Sequence, residues 1–212
     1  PTGWVMPKEQ QKLLLNHTRH LGCWLISDEV YHQITFNDFV SPSFLELSKP
    51  NDRLIVINSA SKSFNMTGWR IGWITHPEEL GRHIAKLVQI TTTGVPEFLQ
   101  NGLVSALENH KTITHELRKN LKKSRDIMFE KLVNWNQVEC SIPDAAFYAF
   151  FKVKGINDSL DFAKKLILET NVGVAPGVAF GASGEGHLRI CFAANETFII
   201  EIMDRLEPAL NK

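Results

Sequence analysis

Cysteine is scarce. Three thiols, Cys23, Cys140 and Cys191, stand far apart, and none belongs to a C-x-x-C pair. An odd, scattered count beside apolar stretches points to buried free thiols in a reducing compartment. Excess charge of either sign is missing too, with Lys+Arg 23 against Asp+Glu 23. Without a basic surplus there is no footprint for nucleic acid or an anionic membrane, so small molecules handled in the cytoplasm are the expected partners. No apolar run approaches the roughly 20 residues of a membrane-spanning helix. The longest, 145–151, is short and aromatic, as a buried strand would be. Internal repeats, low-complexity segments and P-loop spacing are absent. His17 and His20 fall on adjacent turns with no third ligand evident, which makes a solvated helix face the expectation rather than a metal site. The chain opens on Pro1-Thr2-Gly3-Trp4 rather than methionine and is expected to be a piece of a longer polypeptide.

What is present is an ordinary globular mixture, 43% hydrophobic and 22% charged over 212 residues, enough for one large domain or two small ones. Spacing predicts a helix over 7–20 with Leu13, Leu14 and His17 on one face, then a short strand over 23–27 that ends on Asp28-Glu29. Residues 36–50 read as loop. The clearest strand is 54–58, apolar and β-branched throughout, as strands covered on both faces are. A strand over 69–75 follows, then helices over 77–91, from 96 to about 109, and over 112–134. Leu80, Ile84 and Leu87 form the apolar stripe of the first of these. Beyond Trp135 the texture changes. Strands are predicted over 138–141, 147–153, 172–175 and 187–192, with helices over 159–170 and 195–210, the last capped by Asn195. The order predicts an α/β segment over 1–110, a connecting helix over 111–136 and a smaller α+β segment over 137–212.

Residues 59–73, Ser-Ala-Ser-Lys-Ser-Phe-Asn-Met-Thr-Gly-Trp-Arg-Ile-Gly-Trp, carry the most chemistry. Lys62 stands among small hydroxyl residues just past a strand, and Arg70 follows eight positions later. A lysine there can form an imine with an aldehyde cofactor, and hydroxyls with a guanidinium can hold a phosphate. The combination points to pyridoxal phosphate. Ligands of α/β sheets bind beyond the carboxyl ends of strands, where Asp28 and Tyr31 also fall. A carboxylate facing a pyridine nitrogen keeps it protonated, and a phenol nearby can bond the cofactor's phenolate oxygen. Each residue alone has an ordinary explanation: Asp28 as a turn residue, Lys62 as a solvated side chain, and Arg189 as a strand-edge arginine.

Taken together, these segments resemble the fold-type I, pyridoxal-phosphate-dependent aminotransferases of class I/II, aspartate-aminotransferase-like. Pro1-Thr2-Gly3 is similar to the end of that family's Asn-Pro-Thr-Gly motif. Asp28-Glu29-Val30-Tyr31 is similar to its acidic motif, 59–72 to its lysine motif, and Gly184-Glu185-Gly186-His187-Leu188-Arg189-Ile190 to its C-terminal arginine motif. The resemblance implies a three-layer α/β/α large domain, here lacking its N-terminal strands, and a smaller α+β C-terminal domain. It implies that Lys62 carries the cofactor as a Schiff base, with Ser59, Ser61 and Arg70 on its phosphate, Asp28 on the ring nitrogen and Tyr31 on the phenolate oxygen. Arg189 then takes the substrate carboxylate. The implied activity is transfer of an amino group between an amino acid and a 2-oxo acid, in a homodimer. A C–S lyase using the same residues, or the effector-binding domain of an aminotransferase-like transcription regulator, are the alternatives. Family members carry a glycine-containing phosphate cup, a ring-stacking aromatic and several strands N-terminal to this region. The 212 residues alone are therefore expected to expose apolar surface, bind cofactor poorly and turn over little.

Overall fold

The computed structural model describes residues 1–37 and 40–211. The chain divides into two compact units, Val5–Leu117 and Pro1–Trp4 together with Arg118–Lys212.

In the first unit, α1 (Lys8–Leu21) starts after Pro7, whose ring fixes φ at −60 and whose ψ of 150 is extended. It ends at Gly22, which is left-handed at φ 66. The Cys23 N–H donates back to the Thr18 carbonyl at 3.0 Å. Cys23 thus spends its amide on the helix end, and β1 (Leu25–Asp28) begins two residues later than the sequence predicts. The expected face of α1 also differs. Gln11 and Leu15, four residues apart, are buried, while Leu13 is 71% exposed. The Gln11 amide reaches the Pro42 carbonyl, so a polar residue takes an inward position that apolar spacing does not mark.

β1 pairs in parallel with β2 (Leu54–Ser59), and β3 (Gly72–Thr75) pairs antiparallel on the other side, giving the order β1-β2-β3. Leu54 and Val56 point into a core with Leu15 and Phe44, against which Met6, Leu14, Leu25 and Leu47 pack. Phe44 comes from a 3₁₀ turn, Phe44–Glu46, inside the predicted 36–50 loop. Residues 38 and 39 of that loop lie outside the described residues. The predicted strand over 69–75 is half right. Thr67–Trp69 is a 3₁₀ turn and Arg70 is left-handed at φ 53, so extended pairing starts only at Gly72.

A second core joins Ala60, Phe64, Met66 and Ile71. The first two come from or adjoin α2 (Ala60–Ser63). Leu103 of α4 (Glu97–Glu108) and Ile113 of α5 (His110–Leu132) pack on this core. Neither α4 nor the preceding α3 (Gly81–Thr91) has a buried residue. Leu80 and Ile84 are half-buried, but Leu87 of the predicted stripe is exposed, as are Ile90 and Phe98.

In the second unit, β4 (Val138–Cys140), β5 (Tyr148–Val153), β6 (Ala175–Pro176) and β7 (His187–Cys191) form an antiparallel sheet in the order β4-β5-β7-β6. Ala149, Phe151 and Val153 alternate inward and face Leu188 and Ile190 across the register. Helix α6 (Ser159–Thr170) packs against α7 (Glu196–Leu210), which buries Ile199, Met203, Leu206 and Leu210 at spacings of four, three and four. Of the predicted 172–175 strand only Ala175 pairs, joined by Pro176 just beyond it. Asn171 is left-handed at the end of α6, and Pro176 lacks the N–H needed to extend the ladder.

The cysteines correct the sequence expectation. Cys23 and Cys191 are exposed and Cys140 is half-buried, although all three are free thiols. Cys23 sits at a helix exit, and Cys191 stands on the face of β7 opposite Leu188 and Ile190. Burial pushes the Cys140 thiol pKa up. Among the described residues no group of three metal-binding side chains forms, and no helix is long and apolar enough to cross a membrane.

The Asn195 side chain accepts the Phe198 N–H at 2.8 Å, closing the start of α7. Asn195→Ala is expected to cost about 1 kcal/mol. Urea unfolding should show a lower midpoint at unchanged slope.

Candidate active site

The register of β1 on β2 sets Asp28 beside Ile57, so both strands end at the same sheet edge. Strand alternation then separates the two acids. Asp28 is exposed, and its carboxylate accepts the Val30 N–H at 3.2 Å, opening the turn that carries Tyr31. Glu29 is buried, where its carboxylate accepts the Phe44 N–H and the Ser27 hydroxyl, both at 3.1 Å. Glu29 therefore anchors the loop, and Asp28 is the acid presented at the edge.

From the end of β2 the chain turns directly into α2. Ser59 caps this turn by accepting the Ser61 N–H at 3.1 Å, while its hydroxyl donates to the Ile71 carbonyl at 3.3 Å. Ser61 is buried, and its carbonyl accepts the Thr67 hydroxyl at 3.1 Å. Lys62 is half-buried, and its Nζ lies 6.0 Å from the centroid of the Tyr31 ring. Two residues from separate motifs, 31 positions apart, are thereby brought together.

Arg70 follows through a tight return. The Trp69 indole lies against α4 at Gly102, where an added Cβ would come within 3.0 Å of the ring. Gly72 sits opposite Ser59 so closely that a Cβ there would stand 2.6 Å from the Asn58 carbonyl oxygen. Between these close approaches Arg70 is left-handed, and one of its five N–H donors goes to the Thr67 carbonyl at 2.9 Å. Ser59, Ser61 and Arg70 line one cavity of about 710 Å³, whose other walls include Trp69, Trp73 and Val95. Lys62, Asp28 and Tyr31 do not line that cavity.

In the second unit, Arg189 projects from β7 on the face opposite the buried Leu188 and Ile190. Its guanidinium carbon lies over the rings of Tyr148 and Phe180, at 4.2 and 4.4 Å from their centroids. The loop leading into β7 needs its glycines. Gly177 and Gly184 touch backbone to backbone, and a Cβ on either would collide with the other's carbonyl. The Gly3 carbonyl accepts the Asp144 and Ala145 N–H groups. The Pro1-Thr2-Gly3 segment and the arginine motif thus belong to one unit. Sequence reasoning missed Tyr148, Phe180 and Glu29. Alternation along β1 and β5 could have marked Tyr148 and Glu29, but nothing local marked Phe180.

The first unit thus carries a primary amine 6.0 Å from a phenol ring, an exposed carboxylate at the adjoining strand end and a cavity lined by two serines and an arginine. Residues 1–206 match the family model for aminotransferase class I and II. The chain belongs to that family. An aspartate aminotransferase of Pyrococcus horikoshii is 32% identical over 99% of this chain and 54% of its own length. The crystal structure of an aspartate aminotransferase from Thermotoga maritima superposes with a TM-score of 0.88 at 32% identity, covering 100% of this chain and 54% of that one. An aromatic aminotransferase from Pyrococcus horikoshii gives 0.92 at 31%, covering 99% and 57%. The chain therefore spans about half the length of the class I/II aminotransferases it matches. Their names favour neither the lyase nor the regulator alternative.

The arginine motif also carries a pH-dependent tie. The Glu185 carboxylate accepts the Gly186 N–H at 2.8 Å and the Ser159 N–H at 2.6 Å. The Gly186 and Ser159 backbone donors hold its carboxyl below the ordinary value of 4.5. Because the folded pKa is the lower one, the contribution is complete above the ordinary value and fades as pH falls through the folded value. Glu185→Gln should unfold more readily than wild type at neutral pH. Thermal midpoints of the two proteins should converge as the buffer is taken below pH 4.5.

Proposed function

We propose that this chain belongs to a pyridoxal-phosphate-dependent aminotransferase, moving an amino group between an amino acid and a 2-oxo acid, with Lys62 as its reactive amine. The observation that carries this is the approach of Lys62 to Tyr31 at the carboxyl ends of two parallel strands, beside the cavity of Ser59, Ser61 and Arg70. Pyridoxal phosphate, when bound, supplies an aldehyde for the amine and a ring that takes up the electron pair of a broken Cα–H bond.

The protein's own groups do the rest. Ser59, Ser61 and Arg70 would hold the phosphate, the arginine offering it a planar fork of N–H donors. Asp28 supplies a fixed negative charge for a protonated ring nitrogen, an electrostatic contribution in place before reaction. Tyr31 offers its hydroxyl to the ring oxygen. The Lys62 amine accepts the Cα proton and returns it as an acid. Arg189 takes the substrate carboxylate and so orients the bond to be broken. An amino acid and a 2-oxo acid are the partners, in a cytoplasmic homodimer.

Lys62 is tested by borohydride treatment of the native polypeptide with pyridoxal phosphate, followed by peptide mapping. The cofactor should be fixed on the Lys62 peptide, and Lys62→Ala should lose both the label and transamination. A label on another lysine, or turnover surviving in Lys62→Ala, overturns the assignment. Asp28→Ala separates chemistry from folding. It loses one turn bond, worth about 1 kcal/mol, but activity should fall on the order of a hundredfold or more. Wild-type rates in this variant would place the ring-nitrogen partner elsewhere.

A further inference from the structure

Among the described residues Arg189 is flanked by aromatic rings, and no carboxylate forms an ion pair with it. Its guanidinium carbon lies over two aromatic faces, Tyr148 at 4.2 Å and Phe180 at 4.4 Å. Tyr148 stands on β5 with its ring on the same sheet face as Arg189, since the register sets Phe150 opposite Arg189 and Tyr148 opposite Cys191. Phe180 closes the 3₁₀ turn Gly177–Phe180, and Phe150 steadies it edge-on at 6.0 Å. Phe150 in turn stacks on His187 at 4.9 Å, with ring planes 7° apart. The 3₁₀ turn is fixed by the Gly177–Gly184 contact and by the Val178 N–H, which donates to the Ser159 hydroxyl at 3.2 Å.

A guanidinium is planar, and all five of its N–H donors point outward within that plane. Aromatic rings attract its face through their quadrupole. Ring contact therefore restrains the plane without consuming the donor edge. A carboxylate approaching that edge meets a fork already oriented, and a flexible side chain need not be ordered at the moment of binding. We propose that Tyr148 and Phe180 are positioning residues that set the plane of Arg189 for the α-carboxylate of the amino acid and of the 2-oxo acid. This rests on Arg189 being the carboxylate ligand, as argued above.

The test uses the native, cofactor-loaded polypeptide and the best donor found among the twenty common amino acids. Phe180→Leu and Tyr148→Leu should each raise KM for donor and 2-oxo acid about tenfold, with kcat little changed. Tyr148→Phe and Phe180→Tyr keep a ring face and should retain the wild-type KM. Phe180 is 37% exposed, so its replacement is expected to fold. A double-mutant cycle with Arg189→Gln decides whether the ring acts through the arginine. In the Arg189→Gln background Phe180→Leu should add nothing. Independently of turnover, the Arg189 Nε–H proton resonance should be shifted upfield by the rings and should move downfield in Phe180→Leu. An equal KM effect of Phe180→Leu in both backgrounds, or an unchanged KM in wild type, overturns the positioning role. If Arg189→Gln itself leaves KM unchanged, the carboxylate assignment of Arg189 fails first and the positioning role fails with it.

Discussion

The in-register parallel pairing of β1 with β2 is the constraint on which the first unit depends. It sets Asp28 level with Ile57, so the acidic turn and the lysine turn leave the sheet at one edge. Side chains on a strand alternate with a period of two, so a slip of one residue would exchange the faces. Glu29 would then lie at the edge, and Asp28 would replace the buried carboxylate that holds the Phe44 loop. The apolar contacts of Leu54 and Val56 with Leu15 and Phe44 fix this register. Core packing far from the amine therefore decides which of two adjacent acids is presented.

The second unit solves a similar problem with antiparallel strands. Its sheet buries Ala149, Phe151, Val153, Leu188 and Ile190 on one face and turns Tyr148, Phe150, His187 and Arg189 to the other. An arginine with four methylene-length bonds of freedom is useful only if something orders it. Aromatic neighbours do so while leaving its charge undiminished, which a paired carboxylate would not.

Much of this was legible in the sequence where local chemistry dictates local structure. Helix α6 runs over the predicted 159–170, because Asp158 caps it and left-handed Asn171 ends it. Asn195 caps α7 as expected. The candidate residues at 28, 31, 59, 61, 62, 70 and 189 were visible as motif members; the structure brings Lys62 near Tyr31 and sets Ser59, Ser61 and Arg70 around one cavity that Lys62, Asp28 and Tyr31 do not line. What the sequence hid were features set by distant partners. The apolar string at 69–75 conceals a left-handed arginine, which sits between the close approaches of Trp69 to Gly102 and of Gly72 to Asn58. Thiols at 23 and 191 sit in apolar-looking segments yet face outward, since helix termination and strand alternation outrank composition. Phe180 gave no signal, since its contact to Arg189 depends on a glycine-rich turn closing in three dimensions.

Arg70 carries a backbone torsion that an unbranched chain of L-residues avoids, φ 53 and ψ 46, at a cost on the order of 1 kcal/mol. Glycine would relax that torsion and asparagine would tolerate it. Any selection for heat resistance alone would accordingly drift toward glycine at 70, while discarding the one guanidinium that the described residues place on the wall of the cavity. If the proposed phosphate role holds, position 70 is a point where backbone robustness and chemistry pull the same residue in opposite directions.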